Sequence, residues 1–458
     1  MAQEKLSISI FGLGRVGLCF AVCCAERGFR TIGVDIDEEK LDMMRAGKAP
    51  FYEPGLQAML EKALSSGHLE LTPSAREAVA RSGISFITVG TPSKPDGSVD
   101  LSQVEEVCYS IGRALGEKGI WHLVVMRSTV PPGTTRGLVK DVLESSSNLK
   151  CGPGFGLCMN PEFLSEGRAI NGILNPDRII IGEYDKRSGD ALQAFYERFH
   201  GDALIRKRIL RTSLVNAELI KYASNAFLAM KISFANMIAR LCQALPGADV
   251  VPVMDGIGLD KRIGRAFLNA GLGWGGSCFP KDLSALSKFA EDRGIPLPLV
   301  RATVEVNEDQ PLLAVELAKK ALGDLRGRQV ALLGLAFKPG TDDIREAVSL
   351  KVIGALLAEG AEVVAYDPKA MENVRALLGN TIRYARSARE ALRAADCCIV
   401  VTEWEEFKAL KPEDFRKLMR EPVVIDGRRI FKPEEFEGVV RFFAIGRGPQ
   451  KQIKRSES

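Results

Sequence analysis

The chain has 458 residues, 26% of them charged and 46% hydrophobic, and its 62 Lys and Arg nearly balance 58 Asp and Glu for a net charge of +4. That composition excludes disordered, collagen-like and membrane-spanning chains, offers no basic surface for nucleic acid, and at roughly 150 residues per domain favours about three domains. Three histidines, His68, His122 and His200, stand far apart in sequence and leave little for an imidazole triad or a histidine metal cluster, so no metal is expected.

The ten cysteines include no CxxC pair and no zinc spacing, and several sit in apolar runs where they read as small buried hydrophobes. The N-terminal stretch MAQEKLSISIFGLG lacks a charged leader followed by an unbroken apolar run. The expectation is therefore no signal peptide, no membrane partner and a reducing cytoplasm.

In chain order, residues 6–11 (LSISIF) predict a strand, Arg15 to Arg27 carry helical apolar spacing ended by Gly28, and RTIGVD predicts a second strand ending at Asp35. Further strands are predicted at 84–90, 122–130, 156–160 and 178–182, with helices or loops between them. This β/α alternation is the pattern of an α/β fold with a mostly parallel, doubly wound sheet. From Thr212 a single helix is predicted to run to Pro246-Gly247, capped by Thr or Ser and apolar on more than one face, which suggests burial between domains or subunits. Helical pattern continues to about residue 320. From Gln329 the alternation restarts with QVALLGLAF, a helix over Arg345–Glu359, EVVAYDP, a helix over Ala385–Ala395, CCIVVTEW and VVIDGRRIF. The predicted organisation is thus two Rossmann-like doubly wound domains, 1–210 and 321–445, joined by a helical connector over 211–320, with a disordered basic tail at 446–458.

Gly12-Leu13-Gly14-Arg15-Val16-Gly17 follows a strand and opens a helix, and Asp35 ends the next strand. The first glycine permits the tight turn, the second admits a pyrophosphate to the backbone, and the third allows close helix packing. Asp35 suits two ribose hydroxyls and repels a 2′-phosphate, so NAD is expected over NADP. Further on, the glycine-dense run from Gly271 leads through Cys278-Phe279-Pro280-Lys281-Asp282 into a helix, placing Cys278 at a helix N-terminus where a thiolate is stabilised. Asp282 can accept from the same N–H groups or hold water. On the long helix Glu218, Lys221 and Asn225 share a face, which could be a solvated stripe or a directed cation. Asn160-Pro161-Glu162-Phe163-Leu164-Ser165-Glu166 places two carboxylates just after a strand, where such sheets present a ligand crevice, and Ser128-Thr129 could lend a hydroxyl there.

Taken together, GLGRVG (12–17), VGTP (89–92), RSTVPPGT (127–134), NPEFLSEG (160–167), NPDRIIIG (175–182), ELIKYASNAFLAMKISF (218–234), GLDKRIG (258–264), GWGGSCFPKD (273–282), GLAFKPGTDDIREA (334–347) and IDGRRIF (425–431) closely resemble the nucleotide-sugar 6-dehydrogenase family over about residues 6–435. The resemblance implies a four-electron oxidation of the C6 alcohol of UDP-glucose to a carboxylate with two NAD⁺, through a thiohemiacetal and a thioester on Cys278. It implies Lys221 and Asn225 at the oxyanion, with Lys221 also a candidate base for the alcohol step. Asp282 is implied at the water or thiol, Glu162 as base for thioester hydrolysis, and Thr129 with Glu166 around the nicotinamide and its water.

For the cofactor it implies Gly12, Gly14, Val16, Gly17, Asp35, Lys40, Thr91, Thr129, Glu166 and Arg345. For the substrate it implies Glu162, Phe163, Leu164, Lys221, Asn225 and Gly275, then Phe337 and Lys338 at the diphosphate and sugar, and Arg428 near them. Arg262 is implied to reach in from a neighbouring subunit, which makes the long helix a homodimer core and residues 321–445 a UDP-sugar domain. Trp274, Met237 and Ser165 depart from the commoner residues without removing a catalytic group, and the GGSC form argues against the N-acetylated sugar branch. GDP-mannose oxidation, and a non-catalytic nucleotide-sugar sensor, remain the alternatives at this point.

Overall fold

The computed structural model describes residues 7–201 and 203–449. It divides into two compact units, Met1–Ser224 with Ser284–Arg293, and Asn225–Leu283 with Gly294–Ser458.

The first unit is built on eight strands: β1 Ser7–Phe11, β2 Arg30–Val34, β3 Leu69–Thr72, β4 Ile84–Ile87, β5 Leu123–Met126, β6 Gly156–Met159, β7 Ile179–Glu183 and β8 Ile209–Ser213. Their order is β3-β2-β1-β4-β5-β6-β7-β8, and only the β6–β7 pair is antiparallel. Ile8, Ile10, Phe86, Val125 and Cys158 enter the core on one face, while Phe11, Ile87, Val124, Met126 and Leu157 enter the core on the other. Burial on both faces is why these strands read as continuous apolar runs. On the first face Phe20 meets Phe86 at a centroid distance of 4.9 Å and Phe29 meets Phe195 at 5.1 Å.

The predicted fold class is observed, with local differences that have physical causes. The Arg15–Glu26 helix ends as expected, with Gly28 at φ 79° and the Phe29 N–H returning to the Cys24 carbonyl at 3.1 Å. Strands β3 and β8 were not anticipated, being short and polar at alternate positions. Because β8 occupies Ile209–Ser213, the long helix runs over Leu214–Ala244 and not from Thr212. Arg211 is fastened in that strand by Glu183 and by Asp190 at 2.5 Å, and the Ser213 hydroxyl caps the helix by accepting from the Asn216 N–H at 3.2 Å.

The second unit contains β9 Gln329–Leu333, β10 Glu362–Tyr366, β11 Arg383–Tyr384, β12 Cys397–Val400, β13 Val423–Asp426 and β14 Arg441–Ala444, ordered β11-β10-β9-β12-β13-β14 and parallel throughout. The helix predicted over Arg345–Glu359 begins only at Val348, because Glu346 turns left-handed (φ 50°) and the Arg345 N–H folds onto Asp343 at 2.9 Å. The one predicted over Ala385–Ala395 shrinks to Ala388–Ala391, since Ala385 still pairs with Ala365 (2.9 Å) and Ala394 is left-handed (φ 56°). In the predicted tail, residues 446–449 are ordered by bonds such as the Gly448 N–H to the Ala248 carbonyl at 2.9 Å, and residues 450–458 lie outside the described residues.

Of the three histidines, His122 is fully buried at the edge of the first sheet opposite the strand C-termini. The Lys118 ammonium donates to its Nδ1 at 2.8 Å, which leaves Nε2–H to donate to Ser85 Oγ at 2.8 Å. The chain continues from Ser85 to Ser9 (2.7 Å), from Ser9 to Ser82 (3.0 Å) and from Ser82 to the Ala78 carbonyl (2.7 Å). Every polar atom along it is paired, as burial requires.

Burial, with the Lys118 charge beside it, pushes the His122 imidazole down to about 3 from 6.5. The unfolded chain therefore binds a proton between about pH 6.5 and 3 that the folded chain refuses, and this contribution to stability, present above pH 6.5, is lost as pH falls. It amounts to at most about 5 kcal/mol. Denaturant unfolding at pH 7, 5.5 and 4 should show a steeper acid loss in the wild type than in His122→Gln, and equal slopes would contradict this account.

Candidate functional site

In the first unit the turn after β1 separates the three glycine roles by what a side chain would meet. Gly12 has φ 90° and donates to the Val34 carbonyl at 2.8 Å, and a Cβ there would lie 2.9 Å from the Val89 Cα. At Gly17 a Cβ would strike the Gly12 carbonyl oxygen, whereas at Gly14 it would find nothing within 4 Å. The exposed Gly14 thus opens the N-terminus of the Arg15–Glu26 helix, with Val16 half-buried in its first turn. A bound diphosphate fits that opening, since helix N–H groups and the dipole favour anions. Asp35 accepts from the Leu13 N–H at 2.8 Å and pairs with the Lys40 ammonium. Burial pushes its carboxyl up, but Lys40 and the backbone donors outweigh it and hold the group below the usual carboxylate range.

Beyond β6, Glu162 and Lys221 form a buried ion pair, Oε1 to Nζ 3.0 Å, with side chains 8% and 3% exposed. The Leu164 N–H donates to the second oxygen of Glu162, and Phe163 places its ring 5.5 Å from the Lys221 ammonium and 3.9 Å from the Arg178 guanidinium. Burial alone would raise the Glu162 carboxyl, yet the Lys221 charge lowers it. Glu166 lies 3.9 Å from Arg15, so the NPEFLSEG segment touches the dinucleotide turn through that arginine. Ser128 donates to the Val89 carbonyl at 2.7 Å, with Thr129 half-buried beside it and Thr91 buried.

In the second unit Cys278 directly precedes the first turn of the Phe279–Glu291 helix, and its carbonyl accepts the Asp282 N–H at 2.8 Å. Asp282 is 1% exposed. It accepts from Asn225 Nδ2 at 2.6 Å and pairs with Lys281 at 2.7 Å. Cys278 is half-buried, whereas the other nine cysteines are buried. Burial pushes the thiols of Cys23, Cys108 and Cys151 up to about 12.

The glycine-dense approach to Cys278 is pinned, not flexible. The Trp274 N–H and carbonyl bond Asn307 at 2.7 and 2.9 Å, its indole donates to Ser233 at 3.0 Å, and the Gly271 carbonyl takes Gln310 at 2.7 Å. A Cβ at Gly275 would strike the Glu346 carbonyl, and one at Gly276 would sit 2.6 Å from the Phe337 ring. The glycines are there to let neighbours pack close.

Phe337 therefore borders this loop, and Lys338 lies 5.3 Å from its ring. Arg428 reaches the same loop, donating to the Gly273 carbonyl at 2.9 Å. Arg345 is neutralised by Asp343 at 2.5 Å, and Arg262, 89% exposed, lies on Asp260 at 2.5 Å. Arg262 is the site residue furthest from this cluster in character, a surface side chain held by its own turn.

Four residues around these groups carried no sequence signal. Arg15 also donates to the Tyr52 carbonyl at 3.4 Å, and Glu53 accepts from the Gly167 and Ala169 N–H groups at 2.7 and 2.8 Å. Arg127 is buried, donating to Asn160 Oδ1 at 2.5 Å and Tyr196 at 3.0 Å with its guanidinium 4.4 Å over Phe20. Asp343 sets Arg345. Arg15, Glu53 and Arg127 act across tens of residues, where neither periodicity nor spacing reports, whereas Asp343 stands two residues from Arg345.

Among the described residues there is no helix long and apolar enough to cross a membrane and no group of three or more side chains that could hold a metal ion. Three models of one family match in succession: the NAD binding domain over residues 6–200, the central domain over 215–309 and the UDP binding domain over 331–433. The chain is 43% identical to a UDP-glucose 6-dehydrogenase of Haloferax volcanii over 94% of its own length and 98% of that protein's. To one of Bacillus subtilis it is 40% identical, covering 96% and 93%. A UDP-glucose dehydrogenase structure from Pyrobaculum islandicum superposes with a TM-score of 0.88 at 43% identity, covering 97% of this chain and 99% of that one. On matches of this extent, joined to an open dinucleotide turn of the kind the first model describes, the chain belongs to the UDP-glucose/GDP-mannose dehydrogenase family and is an NAD-dependent nucleotide-sugar dehydrogenase.

Proposed function

We propose that the chain oxidises C6 of UDP-glucose twice, giving UDP-glucuronate, with residues 1–210 holding NAD, 211–320 forming the dimer core and 321–445 holding the nucleotide sugar. The observation that carries the chemistry is Cys278, the one cysteine of ten that is not buried, placed at a helix start whose first turn carries Asp282 on Asn225. Nine cysteines are kept inert by burial, and this one stands where N–H groups favour a thiolate. The relatives' names support UDP-glucose.

Bound at the Gly12–Gly17 turn, NAD⁺ supplies the hydride acceptor for each of two oxidations. Lys221 in its neutral form takes the proton of the C6 hydroxyl as that carbon first gives up hydride, leaving an aldehyde. The Cys278 thiolate adds to the aldehyde carbon, and the thiohemiacetal oxygen is held by Lys221 and Asn225. Loss of a second hydride from C6 leaves a thioester, which water attacks as Glu162 removes its proton; the C–S bond breaks, releasing carboxylate and thiolate. The sum consumes one alcohol, two NAD⁺ and one water, and yields one carboxylate, two NADH and three protons. Thr129 and Glu166 hold the nicotinamide and its water, Lys40 and Asp35 the ribose, and Phe337, Lys338 and Arg428 the sugar diphosphate. A reducing cytoplasm keeps Cys278 in the thiol form that this sequence needs.

Glu162 pairs with Lys221 at 3.0 Å, so the carboxylate stands where it can accept or relay the proton that Lys221 gives up before the alcohol step. Placing the two together makes that transfer local.

The long helix supports a homodimer. Phe227, Phe234, Met237 and Leu241 are exposed on one stripe of it, too large an apolar strip for a free surface. Arg262 would then enter the partner's site.

With UDP-glucose the purified enzyme should form about two NADH per UDP-glucuronate, and GDP-mannose should react at least about a hundredfold more slowly in kcat/KM; one NADH per turnover, or a preference for GDP-mannose, would reject the assignment. Cys278→Ser should lose at least about a thousandfold in turnover, as expected for a lost nucleophile, and near-normal rates would remove Cys278 from the chemistry. Leu241→Glu should convert a dimer of roughly twice 49.9 kDa into an inactive monomer by sedimentation, whereas a monomeric wild type would refute the interface.

A further inference from the structure

Glu218 is fully buried on the long helix, three residues before Lys221. Its carboxylate accepts two backbone N–H groups from the segment that follows β5: Gly133 to Oε2 at 2.5 Å and Thr135 to Oε1 at 2.7 Å. Pro131 and Pro132 have no N–H, and the Thr134 N–H closes onto the Pro131 carbonyl at 3.1 Å. Gly133 and Thr135 flank that closed turn, and one side chain takes both of their N–H groups. Gly133 is left-handed (φ 96°), and the helix beyond opens with a π-turn over Thr135–Val139, its Val139 N–H reaching the Thr134 carbonyl at 3.1 Å. Such widened turns cluster where geometry serves function.

Burial pushes the Glu218 carboxyl up, so ionising it here costs free energy that a neutral residue would not. A helix N-terminus can be capped by a local Ser or Asp at no such cost. What the remote carboxylate adds is a tie between two segments: the loop whose other end is fixed by the Ser128 hydroxyl on Val89, and the helix whose next turn carries Lys221. Thr129 lies on the first and Lys221 on the second.

We propose that Glu218 is a positioning residue for the reaction, setting the Ser128–Thr135 loop in register with the helix turn that presents Lys221. This rests on the reading above, in which Thr129 and Lys221 serve the reacting carbon. Glutamine at 218 would turn a donor toward one of the two N–H groups, leaving it unpaired and letting the Pro-Pro-Gly apex relax. The dinucleotide turn is held by its own contacts at Gly12, Gly17 and Asp35 and keeps its grip on the cofactor, so the loss, which reaches the nicotinamide only through Thr129, falls mainly on the rate.

The test compares wild type, Glu218→Gln, Glu218→Asp and Lys221→Ala by steady-state kinetics with UDP-glucose, by fluorescence titration with NADH, and by circular dichroism. Glu218→Gln should lower kcat about tenfold to a hundredfold, as sub-ångström misplacement of reacting groups does, with the NADH dissociation constant within about threefold of wild type. Glu218→Asp, which keeps the charge and shortens the reach, should recover part of the rate, and it carries the comparison alone if the glutamine variant fails to fold. Wild-type kcat in Glu218→Gln, or a loss matched by lost NADH binding, overturns the proposal. Full activity in Lys221→Ala overturns the reading beneath it instead.

Discussion

A charged side chain taken out of water must find its counter-charge, and in the first unit that constraint is concentrated on the Lys221–Glu162 pair. Both groups are nearly inaccessible. Stripping either from its partner would leave an isolated buried ion, which costs several kcal/mol, although the intact pair adds little over an apolar replacement. Stability therefore does not explain its presence. The pair fastens the first turns of the long helix to the segment leaving β6, and Glu218 one turn earlier fastens the same helix to the segment leaving β5. Two buried carboxylates, one from each side of the contact, thus fix where the helix presents its ammonium.

The second unit solves the same problem with one acid. Asp282 is buried at the start of its helix and divides its oxygens between Asn225 and Lys281, so the Asn225 amide is oriented by donating one N–H to Asp282. Cys278 immediately precedes that helix. Its distinction from the other cysteines comes from placement: Cys19, Cys24, Cys158 and Cys398 have thiols raised by burial, which removes them from any nucleophilic role.

Fold class and the dinucleotide turn were legible because they are local: strand periodicity, GLGRVG and Asp35 lie within thirty residues of one another. The helix start before Cys278 was legible for the same reason, through Pro280 and Asp282. Strands β3 and β8 were not, since a few residues with half-polar alternation carry too little signal and take their structure from neighbours. The close packing of the glycine loop was not legible either, because glycines that admit a ring or a carbonyl look the same in sequence as glycines that move. Glu53, Arg127 and Glu218 do their work across 114, 33 and 85 residues, and only the folded chain brings those partners together.

The two sheets repeat one device to different ends. After β1 and after β9 a left-handed glycine, Gly12 or Gly334, donates to the carbonyl ending the neighbouring strand at 2.8 Å, and the acid just past that strand, Asp35 or Asp367, accepts the next N–H of the turn. The sequences GLGRVG and GLAFKP hide the repeat. At the third position Gly14 is exposed, whereas Ala336 is buried and gives its N–H to Asp367 at 3.0 Å. Asp367 also takes the Trp404 indole at 3.0 Å and the Lys369 and Ala370 N–H groups at 2.8 Å, so with 1% exposure it has no lone pair left for a ribose. The next helix begins only at Val348, and its first turn closes onto this one, the Ser349 hydroxyl donating to the Leu335 carbonyl at 2.6 Å. The buried Ala336 and the fully occupied Asp367 close the second turn where Gly14 leaves the first one open, which is why the same frame can serve a dinucleotide in one unit and refuse it in the other.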